Sequence, residues 1–197
     1  MGETITLSTT ASPTNATQIS PLGTELDFDG INDYVGTNIS LSNLSKFTIE
    51  GKFYPKNLGN RIGLVGQNDI IEFGFSSATN IQAWTPGGGQ IDWTFDGTTL
   101  PLNTWHHIAL VGNGSSLKLY IDGILKSTGG STTSSYGSSN YKVNIGGGGI
   151  FDDSGNNFNG KIDEIRIWGL ASCYHVATFC ICHCSTCVAL DVRAVMT

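Results

Sequence analysis

Phe47-Thr48-Ile49-Glu50-Gly51-Lys52-Phe53 alternates apolar and polar positions, with Phe47, Ile49 and Phe53 on one face and Thr48, Glu50 and Lys52 on the other. A period of two is that of a β-strand with one buried face. Trp105-His106-His107-Ile108-Ala109-Leu110-Val111 and Leu117-Lys118-Leu119-Tyr120-Ile121 also read as strands that must bury one face. Asp122-Gly123 follows them between Tyr120 and Leu125, the strongest short-range hairpin signal, because both central residues of a type I′ turn need positive φ. Lys161 to Trp168 alternates apolar and charged residues and closes the β-rich region. Shorter strand signals stand at Leu26–Phe28, Tyr34–Val35, Ile62–Val65, Ile70–Phe75, Ile81–Trp84, Ile91–Phe95 and Val143–Ile145. No long run carries a 3.6-residue apolar period. The pattern predicts an all-β chain, a two-sheet antiparallel sandwich.

Between the strands the chain is rich in turn residues. Gly87-Gly88-Gly89 reads as a mobile turn and Ser131 to Asn140 as a Ser/Thr/Gly loop. The run Gly146–Gly149 reads as a tight bend leaving a strand. No Lys-Ser/Thr follows it and no helix opens behind it, so it meets neither the P-loop nor the dinucleotide fingerprint. Residues 1–22 form a polar lead-in, residues 23–170 the sandwich, and residues 171–197 a tail that holds all five cysteines.

Composition narrows the partners. With ten Lys and Arg against sixteen Asp and Glu, the formal charge is −6, which argues against nucleic acid and anionic membrane surfaces. No stretch approaches the ~20 apolar residues of a membrane span, so no membrane insertion is expected. Met1–Thr6 lacks the basic region and apolar core of a secretory signal.

Five segments, taken in order, resemble a LamG-like (laminin-G, concanavalin A-like) jelly-roll domain. They are Leu26 to Val35, Phe47-Thr48-Ile49-Glu50, Trp105-His106-His107-Ile108-Ala109, Leu117 to Gly123, and Phe158 to Trp168, and together they span residues 24–169. The resemblance implies two stacked antiparallel sheets, one gently concave, whose concave face or rim loops carry carbohydrate or protein ligands, often with calcium nearby. It also implies that Trp105 and Trp168 belong to core strands. It stops near Gly169-Leu170, where the family continues with a polar helical turn and this chain turns to Ser172-Cys173-Tyr174.

Asp29 and Asp163 lie in family-like segments at the start and end of the sandwich. Terminal strands of jelly rolls commonly lie side by side, so the two carboxylates are candidate ligands of one structural calcium, which takes oxygen donors at about 2.3–2.6 Å. The alternative is that each Asp makes a turn or caps a backbone N–H. Asp152-Asp153-Ser154-Gly155-Asn156-Asn157 is also oxygen-rich but lacks the spacing of a calcium loop, and reads as a solvated turn.

A pyranose stacks its apolar face on an aromatic ring and needs polar groups for its hydroxyls. Trp84, Trp93, Tyr34 and Tyr136 are candidate rings, with Gln82, Asp92 and Asn68 as polar company. Trp84 and Trp93 flank the Pro86–Gly89 turn, where a paired platform is possible. The glucanase pattern of carboxylates two apart on one strand is absent, and His106-His107 alternate faces with no Ser or Cys partner, as core or rim histidines do. In the tail, Cys180, Cys182, Cys184 and Cys187 with His175 and His183 leave three readings open: a metal site, disulfides with one thiol over, or sequence foreign to the domain.

The sequence therefore leads to a non-enzymatic recognition or adhesion module, extracellular or displayed on a cell or virion surface. Its expected ligand is carbohydrate, with a structural calcium. The alternative is a structural or protein–protein interaction domain of a virion or extracellular assembly, with a cell-surface or virion protein as partner. A glucan hydrolase is a third reading.

Overall fold

A computed structural model describes residues 25–171 and a strand at 189–191, and no helix occurs among them. The lead-in and the tail's cysteine and histidine candidates lie outside the described residues. The strands, in chain order, are β1 (Leu26–Asp29), β2 (Val35–Gly36), β3 (Phe47–Asn57), β4 (Ile62–Gly63), β5 (Val65–Gly66), β6 (Glu72–Ser77) and β7 (Asn80–Thr85). They continue with β8 (Gly89–Thr94), β9 (His106–Gly112), β10 (Leu117–Ile121), β11 (Ile124–Gly129), β12 (Asn144–Ile145), β13 (Asn159–Trp168) and β14 (Ala189–Asp191).

One layer is a sheet in the order β1-β13-β3-β9-β10-β11, with β14 lying along the second half of β13. The other layer comprises β2-β12-β5 and β4-β6-β7-β8. These two pieces are stitched together where the Leu64 N–H donates to the Phe73 carbonyl at 3.0 Å and the Gln67 N–H to the Ile71 carbonyl at 2.9 Å. All ladders are antiparallel, as in a jelly roll.

The alternation in β3 places Phe47, Ile49 and Phe53 in the core, each at most 1% exposed. Phe73, Phe75, Ile81, Ala83 and Ile91 meet them from the second layer. Edge-to-face ring pairs, among them Phe53–Phe158 and Phe47–Tyr136, knit the centre. The β10–β11 hairpin turns on Asp122 (φ 51°) and Gly123 (φ 78°), both positive as the turn requires. Asp122 also clamps the start of β9: one carboxylate oxygen accepts the His107 N–H at 2.9 Å and the other lies 2.9 Å from His106 Nδ1. His106 Nε2 lies 3.0 Å from the Pro101 carbonyl, so this histidine is a buried structural residue.

Two aromatic expectations need correction. Trp105 is 40% exposed, tilted against Tyr54 with ring centroids 5.5 Å apart, because it precedes β9 on the outward side of the large sheet. Trp168 pairs with Thr48 in the register, on that same outward face, and is half-buried. The same face carries ion pairs, among them Lys52–Glu164 at 2.6 Å, Arg166–Glu164 at 3.1 Å, Lys161–Glu25 at 2.8 Å and Lys56–Asp27 at 2.5 Å. Exposed pairs of this kind contribute little stability.

Candidate functional site

The outward face of β6-β7-β8 is built by strand alternation. Phe73, Phe75, Ile81, Ala83 and Ile91 point inward, so Glu72, Gly74, Gln82, Trp84, Gln90, Asp92 and Thr94 point outward. The register aligns Glu72, Trp84 and Gln90 in one row, Gly74, Gln82 and Asp92 in the next, and Asn80 with Thr94 beyond. Asp92 is the hub of this ladder. Its Oδ1 accepts from Asn80 Nδ2 at 2.9 Å and Gln82 Nε2 at 3.1 Å, and its Oδ2 from Gln90 Nε2 at 2.6 Å. Partial burial acts to raise the Asp92 carboxyl, but the three amides outweigh it and hold the group below the usual carboxylate range. The half-buried Trp84 ring therefore lies beside a fixed row of amides and a carboxylate.

One side of this face is walled by the segment after the glycine run. Ile150 and Phe151 are buried against the outward face of the sheet, over a bed of Gly63, Gly66 and Gly74. At Gly74 the approach is closest: a Cβ would lie 2.1 Å from the Ile62 carbonyl oxygen and 2.9 Å from the Phe151 ring. Asn156 Oδ1 accepts the N–H groups of Ile150, Phe151 and Asp152, and its Nδ2 donates to the Arg61 carbonyl at 3.1 Å. Arg61 lies over the Phe151 ring at 5.3 Å and donates from Nε and Nη2 to the two Asp152 oxygens at 3.0 and 2.8 Å. Asp152, Asp153 and Ser154 are exposed, as the solvated-turn reading expects, and this turn braces the buried Ile150 and Phe151 that precede it.

Glu72 stands between this wall and Trp84. Burial pushes its carboxyl up and the neighbouring Asp69 and Asp152 carboxylates add to the push, while the Asp69 N–H and Arg61 oppose it. A carboxyl raised in the fold binds its proton more tightly there than in the unfolded chain, so its ionisation weakens the fold as pH rises. Glu72→Gln is therefore expected to raise the melting temperature modestly at pH 7, with the gain vanishing below about pH 4, where both states are protonated. Melts across that range check it, and a loss at pH 7 would show that the ionised group is needed.

The other candidate residues disperse. Trp93 pairs with Ile81 and so points inward, to the sandwich edge, with Phe95 at 5.5 Å and the Lys126 ammonium over its ring at 5.3 Å. Trp84 and Trp93 consequently lie on opposite faces, and no paired platform forms. Tyr34, 40% exposed, packs over Gly148 on the same layer as Trp84, but four strand steps away, about 19 Å. Tyr136 is fully buried, and Asn68, 4% exposed, donates to Asp153 away from the ladder. Trp84, Gln82 and Asp92 do come together. Asn80, Gln90 and Glu72 join them, and the signal for these three was the alternation about Trp84 on β6, β7 and β8.

Asp29 and Asp163 are on neighbouring strands yet do not converge. Asp29 pairs with Asn159, four residues along β13 from Asp163, about 13 Å away. Asp29 accepts the Ile31 N–H at 2.7 Å in a local turn, and Asp163 accepts the Glu164 N–H at 2.8 Å. This pair does not fit a single cation, and among the described residues no group of three or more His, Cys, Asp or Glu is placed to hold a metal. Asp163→Ala is expected to leave any calcium-induced rise in melting temperature, measured against EDTA, unchanged. Its disappearance would restore a shared site.

Two antiparallel layers packed through a continuous core, one bearing a polar ladder around an outward tryptophan, define a jelly-roll β-sandwich. Residues 29–172 match the family described as the concanavalin A-like lectin/glucanases superfamily, and the chain belongs to it. No curated protein matches. Among solved structures, a Bacteroides ovatus protein provisionally described as carbohydrate-binding is similar at 17% identity and a TM-score of 0.64, over 76% of this chain and 44% of that one. This chain thus spans less than half of that protein. Domain 4 of an extracellular arabinanase from Geobacillus stearothermophilus, solved with arabinotriose, is similar at 21% identity and a TM-score of 0.41, over 73% of this chain and 64% of that one. The binding domain of a paraclostridial mosquitocidal protein is similar at 19% identity and a TM-score of 0.47, over 67% of this chain and 35% of that one. These likenesses concern the fold. Among the described residues no helix is long and apolar enough to cross a membrane.

Proposed function

We propose that this domain is a carbohydrate-binding module whose ligand lies on the outward face of β6-β7-β8, stacked on Trp84. The observation that carries the reading is the Asp92 hub beside that ring. Three amides are oriented by one carboxylate, leaving the carbonyl oxygens of Gln82 and Gln90 to accept from sugar hydroxyls next to an aromatic surface. Hydroxyls that lost water without a partner would cost about 1–3 kcal/mol each, so a prearranged polar row is what a sugar site needs. The Bacteroides neighbour supports the reading at the level of fold.

Binding rather than turnover is the activity proposed. Glu72 and Asp92, the carboxylates of the ladder, stand two strands and two residues apart, about 12 Å at the backbone, with β7 between them. Asp92 is held by amides as a structural acceptor. Such a module belongs where glycans are displayed, outside the cell or on a cell or virion surface. Calcium has no part in the ladder as proposed.

Trp84→Ala should weaken binding about tenfold to a hundredfold, the usual scale for removing a central aromatic contact. The half-buried, outward ring should be removable with the melt still cooperative. Glycan-array binding and calorimetry of the wild type and variant test this. An intact fold that binds no glycan would sink the reading in favour of a protein partner.

A further inference from the structure

We infer that the Trp84 ladder accepts neutral glycans and rejects anionic ones, such as uronates and sialylated or sulfated sugars, through the carboxylates along its rim. The inference rests on the reading of Trp84 as a sugar platform and goes further by naming the class of sugar. Glu72 lies in register with Trp84 on one side, and Asp92 is one row along on the other. Asp152 crowds Glu72 from the wall and Asp69 from the turn before β6, the Asp69 N–H approaching its carboxylate at 3.4 Å.

The cation that opposes the push on Glu72 is Arg61, and it is already engaged. Its Nε and Nη2 hold Asp152, the same Nη2 donates to the Phe151 carbonyl at 2.5 Å, and its flat face is laid on the Phe151 ring. Four carboxylates (Glu72, Asp69, Asp92 and Asp152) thus stand beside a guanidinium whose Nε and Nη2 are taken up by Asp152 and the Phe151 carbonyl. A sugar hydroxyl can donate to Glu72 or accept from the ladder amides. A sugar carboxylate or sulfate can do neither toward Glu72, and meets like charge instead. At about 6 Å and an effective dielectric of about 40, between those of a protein surface and of water, one such uncompensated repulsion lowers affinity about tenfold.

The test compares matched neutral and anionic probes on the full chain: oligogalactan against oligogalacturonate, and lactose against sialyllactose. Three proteins are needed: the wild type, Glu72→Gln and Asp152→Asn. The wild type should bind the neutral member of whichever pair it recognises at least tenfold more tightly. Asp152→Asn releases the Arg61 charge and should narrow that ratio about tenfold. Glu72→Gln, which leaves the wall's own bonds intact, should narrow it as well, and so should high salt. Equal or tighter binding of the anionic member by the wild type would overturn the inference while leaving the sugar platform standing. So would ratios unmoved in both variants. No binding of any probe by a protein that melts cooperatively would remove the platform and, with it, this inference.

Discussion

Tyr136→Ala is expected to destabilise the domain by about 3–5 kcal/mol, the range for truncating a large buried aromatic. Tyr136 is fully buried and meets Phe47 edge-to-face with ring centroids 4.8 Å apart. Its backbone N–H donates to the Leu44 carbonyl at 2.9 Å, and its carbonyl accepts the Gly87 N–H at 3.3 Å. The ring therefore pins the long 131–140 connection between the layers. Its hydroxyl is bonded too, accepting the Gly114 N–H at 2.9 Å. Tyr136→Phe keeps the ring and should cost only about 1 kcal/mol. Urea unfolding of the two variants separates packing from the hydroxyl. An alanine variant as stable as the phenylalanine one would mean that the ring does not anchor the loop.

Gly74→Ala should cost about 3 kcal/mol or more, at the upper end of overpacking. Its Cβ would collide with a backbone oxygen, that of Ile62, which cannot step aside as a side-chain tip can, and would press on the Phe151 ring as well. The β4–β6 pairing and the wall would have to separate. Glycan affinity should fall along with stability, since the wall positions Arg61 and Asp152 beside Glu72 and Trp84. Equilibrium unfolding and calorimetry read the two effects. A stable variant would show that the wall rests only loosely on the sheet.

The long strands were readable because their period is their burial. Phe47 to Phe53 carries its face assignment in alternation alone, and Asp122-Gly123 names its own turn. Tyr136 was not readable, since a lone aromatic in a Ser/Thr/Gly stretch has no period, and only three-dimensional packing decides that it enters the core. Trp84 and Trp93 illustrate a register problem. Whether residues on either side of a turn share a face depends on the count of turn residues outside the ladder, and composition does not give that count. The pairing of Thr85 with Gly89 fixes it and sends the two rings to opposite faces. The separation of Asp29 from Asp163 has a related reason. Adjacency of β1 and β13 follows from their order in the resemblance, but the offset of Asp29 from Asp163 is again a matter of register. Ile150 and Phe151 follow four glycines and have no alternating neighbours, so nothing local marks them as buried.

The connection of the chain to its two flanks sets the direction in which the domain faces. Glu25 enters beside Lys161 and the chain leaves past Leu170, whose carbonyl accepts the Thr48 hydroxyl; both points belong to the large sheet. The Trp84 ladder lies on the far surface of the other layer. A group attached at Glu25 or Leu170 would thus sit on the back of the molecule. Immobilised through these two positions, the domain would turn its ladder toward whatever coat of sugars it approaches.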